Sequence, residues 1–380
     1  MITSLGLSTL ETMTAVEQGR IGIRTTEDSK LYPNPVQLSR VDTSALDKRF
    51  AEVLACHKKE VPVASFTRLE KLFIVSVHDA LSNSKVLPDT RRTLLVISTT
   101  KGNIDLLESR YTAVFSHTRI YLWELARVVK NFFGFYNPPL IISNACISGV
   151  VAMMTAMRYL QNGDYDHAVV TGGDIASEFV ISGFQSFQAL SPSPCKPFDA
   201  ERNGLSLGEG CGTIVLSTNP ELTGILPIRV RGAATTNDAN HISGPSRTGE
   251  ELGFAIVQAM KQAELVPEQI DYISAHGTAT IFNDEMESKA LEWCRLTQVP
   301  VNSFKGYWGH TLGAAGILES VAAIWSLRNN VLYRSAGYTT CGVPAPLNII
   351  SENRISTLNT CIKTASGFGG CNAAILYHKD

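Results

Sequence analysis

The sequence has no strong charge of either sign: 33 Lys and Arg stand against 35 Asp and Glu, for a formal charge of -2. A bulk electrostatic pull toward nucleic acid or an anionic membrane is thereby excluded as the source of function. Cysteine occurs at 56, 146, 195, 211, 294, 341, 361 and 371, but never as CxxC and never clustered with histidine at zinc-finger spacing. That excludes a disulfide scaffold and a structural zinc site. Met1 to Gly19 holds no Lys or Arg and no unbroken apolar run, so no secretory signal is read there. No stretch reaches the roughly 20 apolar residues of a membrane span. The best candidate, Leu312 to Leu327, is interrupted by Gly313, Gly316 and Glu319. These absences predict a cytoplasmic setting in which thiols stay reduced. Charge is also sparse, at 18% of residues, which with 44% hydrophobic residues points to extensive burial inside the fold or an oligomer.

What is present is an alternation of strands and helices. Strands are predicted at Thr93–Ser98, Pro139–Ser143, His167–Thr171, Gly212–Ser217, Ile228–Gly232, Tyr272–Ala275, Val299–Ser303, Ile362–Ala365 and Asn372–Tyr377. Helices are predicted at Arg68–Asn83, Ser116–Phe132, Ile147–Gln161, Gly249–Ala263, Glu285–Leu296 and Gly313–Asn329. Such alternation indicates a layered α/β fold with largely parallel sheets. A weak internal repeat runs through it. PLIISNACISGVVAMMTAMRYLQNG and VPVNSFKGYWGHTLGAAGILESVAAIWSLRNN both read as strand, tight loop and small-residue helix. Each half then closes with a glycine turn into an apolar strand, GEGCGTIVLS and GFGGCNAAILY. The chain reads as a duplicated α/β unit, residues 1–217 and 218–380, joined near Thr218–Leu226.

Three residues attract attention as chemistry. Cys146 follows an apolar strand and opens a helix, where unpaired N–H groups and the positive dipole end favour thiolate. A small core cysteine is the competing reading of that position. His276 ends a strand in SAHGTAT, and His310 precedes a helix in KGYWGHTLGAAG, bracketed by Lys305 and Glu319. A satisfied buried histidine and a helix cap are the bland alternatives. Ser366-Gly367-Phe368-Gly369-Gly370 leads into a strand, with no acidic residue about 20 positions on, so it is not a dinucleotide fingerprint. It reads as an active-site turn supplying oxyanion donors. A cysteine with two loop histidines suits acyl transfer through a thioester. The turn Lys196-Pro197-Phe198-Asp199-Ala200, continued by Arg202-Asn203-Gly204, reads as scaffold.

These residues resemble the β-ketoacyl-acyl-carrier-protein synthases of the thiolase fold, the elongating Cys-His-His kind. The resemblance runs from about Pro139 to the C-terminus through NACISG, TGGD, KPFDAERNGLSLGEGCG, AHGTAT with Asp284 and Glu287, NSFKGYWGHTLGAAGILE and GFGGCN. It implies a layered αβαβα body and a decarboxylative condensation with malonyl carrier. Cys146 would be the acyl-accepting nucleophile, His276 and His310 the pair promoting decarboxylation, and Lys305–Glu319 the ion pair ordering the second histidine. The N–H groups of Cys146 and Phe368 would form the oxyanion hole, Phe368 the gate, with Thr278, Thr280, Asp284 and Glu287 in support. No intrinsic cofactor is implied, since phosphopantetheine comes on the acyl carrier protein. The partners implied are that carrier and a second synthase subunit, in a homodimer or heterodimer. Histidine rather than asparagine at 310 implies elongation, in a fatty-acid, polyketide or polyene pathway. Several features depart from the family: the opening MITSLGLSTLETM, a short region before Cys146, Ser366 in place of phenylalanine, and Asn283 in place of glycine. Helical spacing nominates Arg68, Lys71, Arg127 and Lys130 for carrier docking, or else as solvated helix faces. The rival functions are a non-catalytic chain-length partner and a Cys-His hydrolase.

Overall fold

The computed structural model describes residues 1–29, 31–108, 114–222, 226–239 and 244–379. The chain opens with α1 (Thr9–Glu17), β1 (Arg24–Thr26), β2 (Val36–Ser39), α2 (Thr43–Cys56) and α3 (Arg68–Ser82). Then come β3 (Thr93–Ser98), α4 (Leu122–Phe133), β4 (Leu140–Ile142), α5 (Ser148–Gln161), β5 (His167–Asp174) and α6 (Glu178–Ser186). The short β6 (Leu207–Gly208) and β7 (Gly210–Ser217) follow, then β8 (Ile228–Asn237), α7 (Glu250–Ala263) and β9 (Tyr272–Ser274). Next are α8 (Ile281–Trp293), β10 (Val301–Asn302), the single turn α9 (Lys305–Trp308) and α10 (Ala315–Asn329). The ribbon β11 (Val331–Leu332) and β12 (Arg354–Ile355) precedes β13 (Thr360–Gly367) and β14 (Cys371–Lys379).

Two sheets carry the fold, in the orders β4-β3-β5-β7 and β10-β9-β13-β14-β8. In each, the leading strands run parallel and the glycine-turn strand is antiparallel. The place that β8 takes beside β14 is held in the first sheet by Ile2. Its N–H and C=O pair with Cys211 at 2.7 and 3.0 Å. Side chains alternate along β3. Leu94 and Val96 pack inward with α5 and α10 residues, while Leu95 and Ile97 pack outward with α3 and α4. Strands buried on both faces need that near-continuous apolar run. The second sheet is covered on its far side by α7 and α8. The layers are therefore α/β/α/β/α, the architecture that the resemblance implies.

The central layer is α5 against α10, and glycine sets its spacing. A Cβ on Gly149 would lie 2.7 Å from the Ile317 nitrogen, and one on Gly316 would lie 2.6 Å from that of Val150. Four residues before each glycine the backbone is left-handed, φ 44° at Ala145 and 54° at Leu312. The tight loop and the glycine contact thus occur once in each half, as the repeat in the sequence suggests. Residues 223–225 of the join lie outside the described residues.

Several boundaries differ from expectation, for physical reasons. β5 and β8 run on to Asp174 and Asn237, through Gly172 and Gly232, past the ends expected at Thr171 and Gly232. Those glycines are places of close packing: a Cβ on Gly172 would lie 2.9 Å from the Ile317 side chain, and one on Gly232 would lie 2.2 Å from the Ala259 carbonyl. The helix expected from Ser116 splits into a short 3-10 turn, His117–Ile120, and α4. α8 begins at Ile281, four residues early, which puts Asn283 and Asp284 inside the helix. α1, α2 and α6 were not anticipated. The glycine crossing yields a test. Gly149→Val or Gly316→Val should each lower unfolding free energy by about 3 kcal/mol in urea titration, because backbone blocks relaxation. Near-neutral effects would contradict this packing.

Candidate active site

The cysteine loop is a strand-to-helix turn. β4 ends at Ile142, Ala145 reverses the chain, and Ile147 caps α5, which starts at Ser148. The Ser148 hydroxyl donates to the Ala145 carbonyl at 2.6 Å and accepts from the Asn144 N–H at 2.8 Å, fixing the turn. Cys146 therefore precedes the N-cap and does not sit in the first helical turn. It is 7% exposed, and burial pushes its thiol up to about 12, with the Cys371 thiol adding to the effect and Lys305 opposing it. The thiolate expected from the helix start is corrected to a resting thiol, because lost hydration outweighs the dipole.

The histidines are held from behind. The His276 and Gly277 N–H groups donate to the two Glu287 oxygens at 2.8 and 2.7 Å. The Thr278 and Ala279 N–H groups donate to Asp284 at 2.9 and 3.1 Å, and so does Phe198 from the loop expected as scaffold, at 2.7 Å. Asp284 and Glu287 lie one turn apart on α8, so one helix end anchors four successive N–H groups of the loop. Burial lifts Asp284 to about 6 despite those bonds.

Lys305 donates from Nζ to Glu319 Oε1 and to the His276 carbonyl, both at 2.6 Å, and lies 3.3 Å from His276 Nδ1. An ammonium has no lone pair, so that nitrogen accepts, and the imidazole proton is placed on Nε2. His310 reaches the same tautomer by another route, since its Nδ1 accepts from the Leu312 N–H at 3.3 Å. The two rings stand edge-on, with centroids 5.3 Å apart. Burial first, and Lys305 second, hold both well below the usual histidine range. Two neutral imidazoles, each with an Nε2–H to donate, are the result.

Cys146, His276 and His310 line one cavity of about 370 Å³, joined by Thr278, Thr280, Ser366 and Phe368. Gly367 keeps its loop against the nucleophile, since a Cβ there would lie 3.0 Å from the Cys146 nitrogen. Phe368 packs on Phe184 and Phe187 of the α6 segment at 5.4 and 5.0 Å. That segment was missed, although Ser177 capping α6 ahead of Glu178 is a readable start signal. Ser366 donates to Asn372 at 2.8 Å, so its hydroxyl is engaged. Lys363 was also missed. It is fully buried and lies 2.7 Å from Glu319 Oε2.

Two members of the docking set are engaged within the chain. Arg68 is bound to Glu209 at 2.6 Å, and Lys71 to Asp47 at 2.7 Å, both largely covered. Each caps a partner distant in sequence, which helical spacing cannot show. Arg127, 57% exposed, pairs with Glu124 on its own helix, and Lys130 is half-buried. None of the four lines the cavity. The hydrolase reading loses its footing as well, because Nδ1 of His276 faces a cation and that of His310 a backbone N–H.

The resting thiol carries a test. Alkylation of Cys146 by iodoacetamide, followed by peptide mass spectrometry, should keep accelerating above about pH 8.5, the free-cysteine value. A plateau below pH 8 would contradict the burial argument.

Residues 1–221 match the family described as "Beta-ketoacyl synthase, N-terminal domain", and residues 228–339 its "C-terminal domain". The chain is 32% identical over 66% of its length to "Putative polyketide beta-ketoacyl synthase 1" of Streptomyces halstedii. It is 30% identical, again over 66%, to "Nodulation protein E" of Rhizobium leguminosarum bv. trifolii. It spans 63% and 64% of those relatives' lengths, less than two thirds of each. In fold it is similar to a ketosynthase solved in complex with its chain length factor from Xenorhabdus doucetiae. The TM-score is 0.82 at 24% identity, covering 100% of this chain and 96% of that one. With both family domains matched in order along one duplicated α/β body, the chain belongs to the β-ketoacyl synthases.

Proposed function

We propose that the chain is an elongating condensing enzyme that joins a cysteine-bound acyl group to malonyl carrier. The observation that carries this reading is the pair of neutral Nε2–H donors in the same cavity as a buried thiol. Cys146 takes the acyl group from a carrier thioester, and its proton leaves on the carrier's phosphopantetheine thiol. Malonyl carrier then loses carbon dioxide. The electron pair of the broken C–C bond becomes an enolate, whose oxygen accepts from His276 and His310. That carbon attacks the acyl-Cys146 carbonyl, whose oxygen is held by the Cys146 and Phe368 N–H groups. Cys146 departs as a thiolate and takes a proton from solvent water, leaving a β-ketoacyl carrier two carbons longer. Neutral imidazoles suit this chemistry, since an Nε2–H that is a very weak acid donates a hydrogen bond to the enolate without protonating and quenching it.

Phosphopantetheine is the arm that the cavity is built to receive, between Thr278, Thr280 and the Phe368 loop. The protein works in the cytoplasm with an acidic acyl carrier, as a homodimer or beside a related subunit, and its two halves are residues 1–217 and 218–380. The Xenorhabdus relative's complex with a chain length factor supports the paired arrangement. A purely chain-shaping role fits less well, because such a partner needs neither Cys146 nor two tautomer-fixed imidazoles.

Cys146→Ala should abolish the acyl adduct seen by mass spectrometry with acyl carrier, and a retained adduct would refute the nucleophile. His310→Ala should still self-acylate but condense on the order of 100-fold more slowly. Condensation at the wild-type rate by that variant would refute the donor role.

A further inference from the structure

Lys363 lies in β13 with no exposed surface, and the reaction as proposed makes no use of it. A lysine is almost never fully buried unless paired. All three ammonium protons are placed: Nζ donates to the carbonyls of Ser274 at 3.2 Å and Ala275 at 3.1 Å, and to that of Thr364. The remaining contact, 2.7 Å to Glu319 Oε2, is ionic. Lys305 takes the other Glu319 oxygen and the next carbonyl along, that of His276. Three successive carbonyls at the end of β9 are thus gripped by two ammonium groups that share one carboxylate.

We infer that Lys363 is a positioning residue for His276: with Glu319 and Lys305 it forms a Lys–Glu–Lys bridge that fixes the strand end and adds a second positive charge behind both imidazoles. This rests on the condensing role proposed above. The bridge does two things at once. Its grip on the carbonyls orients the His276 ring, and its charge disfavours imidazolium while favouring the enolate. Burial is the main reason that both histidines stay neutral, and Lys363 is among the charges that add to it, with Lys305. The other groups facing His276 are Glu287, which binds its N–H, Asp284 on the same helix, His310, and the Cys146 thiol lining the shared cavity. Glu287 acts from the N–H side of the loop, whereas the two lysines and the Glu319 carboxylate between them, a net single positive charge, stand on the carbonyl side.

The test is the pH profile of malonyl-carrier decarboxylation by the full chain, with wild type run alongside. Lys363→Met should move the acid limb up by about one pH unit, since an imidazolium forms more readily once a nearby like charge is gone. Lys363→Gln keeps amide donors for the carbonyls and should move the limb the same way, which covers a Met variant that does not fold. Glu319→Gln should move it down. A Lys363→Met/Glu319→Gln double variant, with the same net charge as wild type in the bridge, should return it. A uniform loss of rate with an unmoved limb would overturn the inference and leave Lys363 as packing. Absence of decarboxylation by wild type would instead overturn the condensing role itself.

Discussion

The contact of Gly149 with Gly316 is the constraint on which the rest of the molecule depends. Both glycines sit at the first turns of the central helices, so their backbones touch where a Cβ on either would stand under 3 Å from the other helix. This crossing brings the loops that precede the two helices together. One loop carries Cys146 and the other His310, and β9 from the second sheet adds His276 beside them. Duplication has been used asymmetrically. The position that matches Cys146 in the second half, one residue after the same left-handed turn residue, is Gly313. Its N–H donates to Asp174 at 2.7 Å, tying that loop to the first half.

Around this junction the buried charges divide the work. Carboxylates of α8 take the N–H groups of the His276 loop, and lysines take the carbonyls at the strand end. A buried ion pair is weak evidence for stability on its own account, since desolvation offsets most of the attraction. Here it serves orientation, because the two lysines that Glu319 holds also bond the strand-end carbonyls, and Lys305 the His276 ring. The same desolvation that makes such charges costly keeps the thiol protonated and both imidazoles neutral. One physical cause, removal of water from the junction, therefore sets the protonation state of all three reacting groups.

The layered fold was legible because period-2 and helical patterns are strong in the duplicated units. The three candidate catalytic residues were legible because each stands at a strand end or helix start among small residues. Other features were not legible from sequence. Lys363 sits in CIKTAS, where nothing local separates a buried lysine from one on a solvated face; only its partner 44 residues upstream makes it meaningful. The ion pairs of Arg68 and Lys71 were hidden for the mirror reason, their partners Glu209 and Asp47 being invisible to helical spacing. The strands ending at Thr171 and Gly232 were read short because sequence does not reveal the helix that packs against a glycine within a strand. The thiol's state was misjudged because a helix start is visible in sequence and the depth of its burial is not.

The convergence of both Nε2–H groups on one substrate oxygen is the central claim. A crystal structure of the chain with a malonyl-pantetheine analogue, carrying an amide in place of the thioester, tests it most directly. The account predicts the analogue in the cavity beside Cys146, with its carbonyl oxygen within hydrogen-bond distance, about 3 Å, of Nε2 of both His276 and His310. An analogue seated there with its carbonyl turned away from both rings, or either histidine presenting Nδ1–H instead, would contradict it.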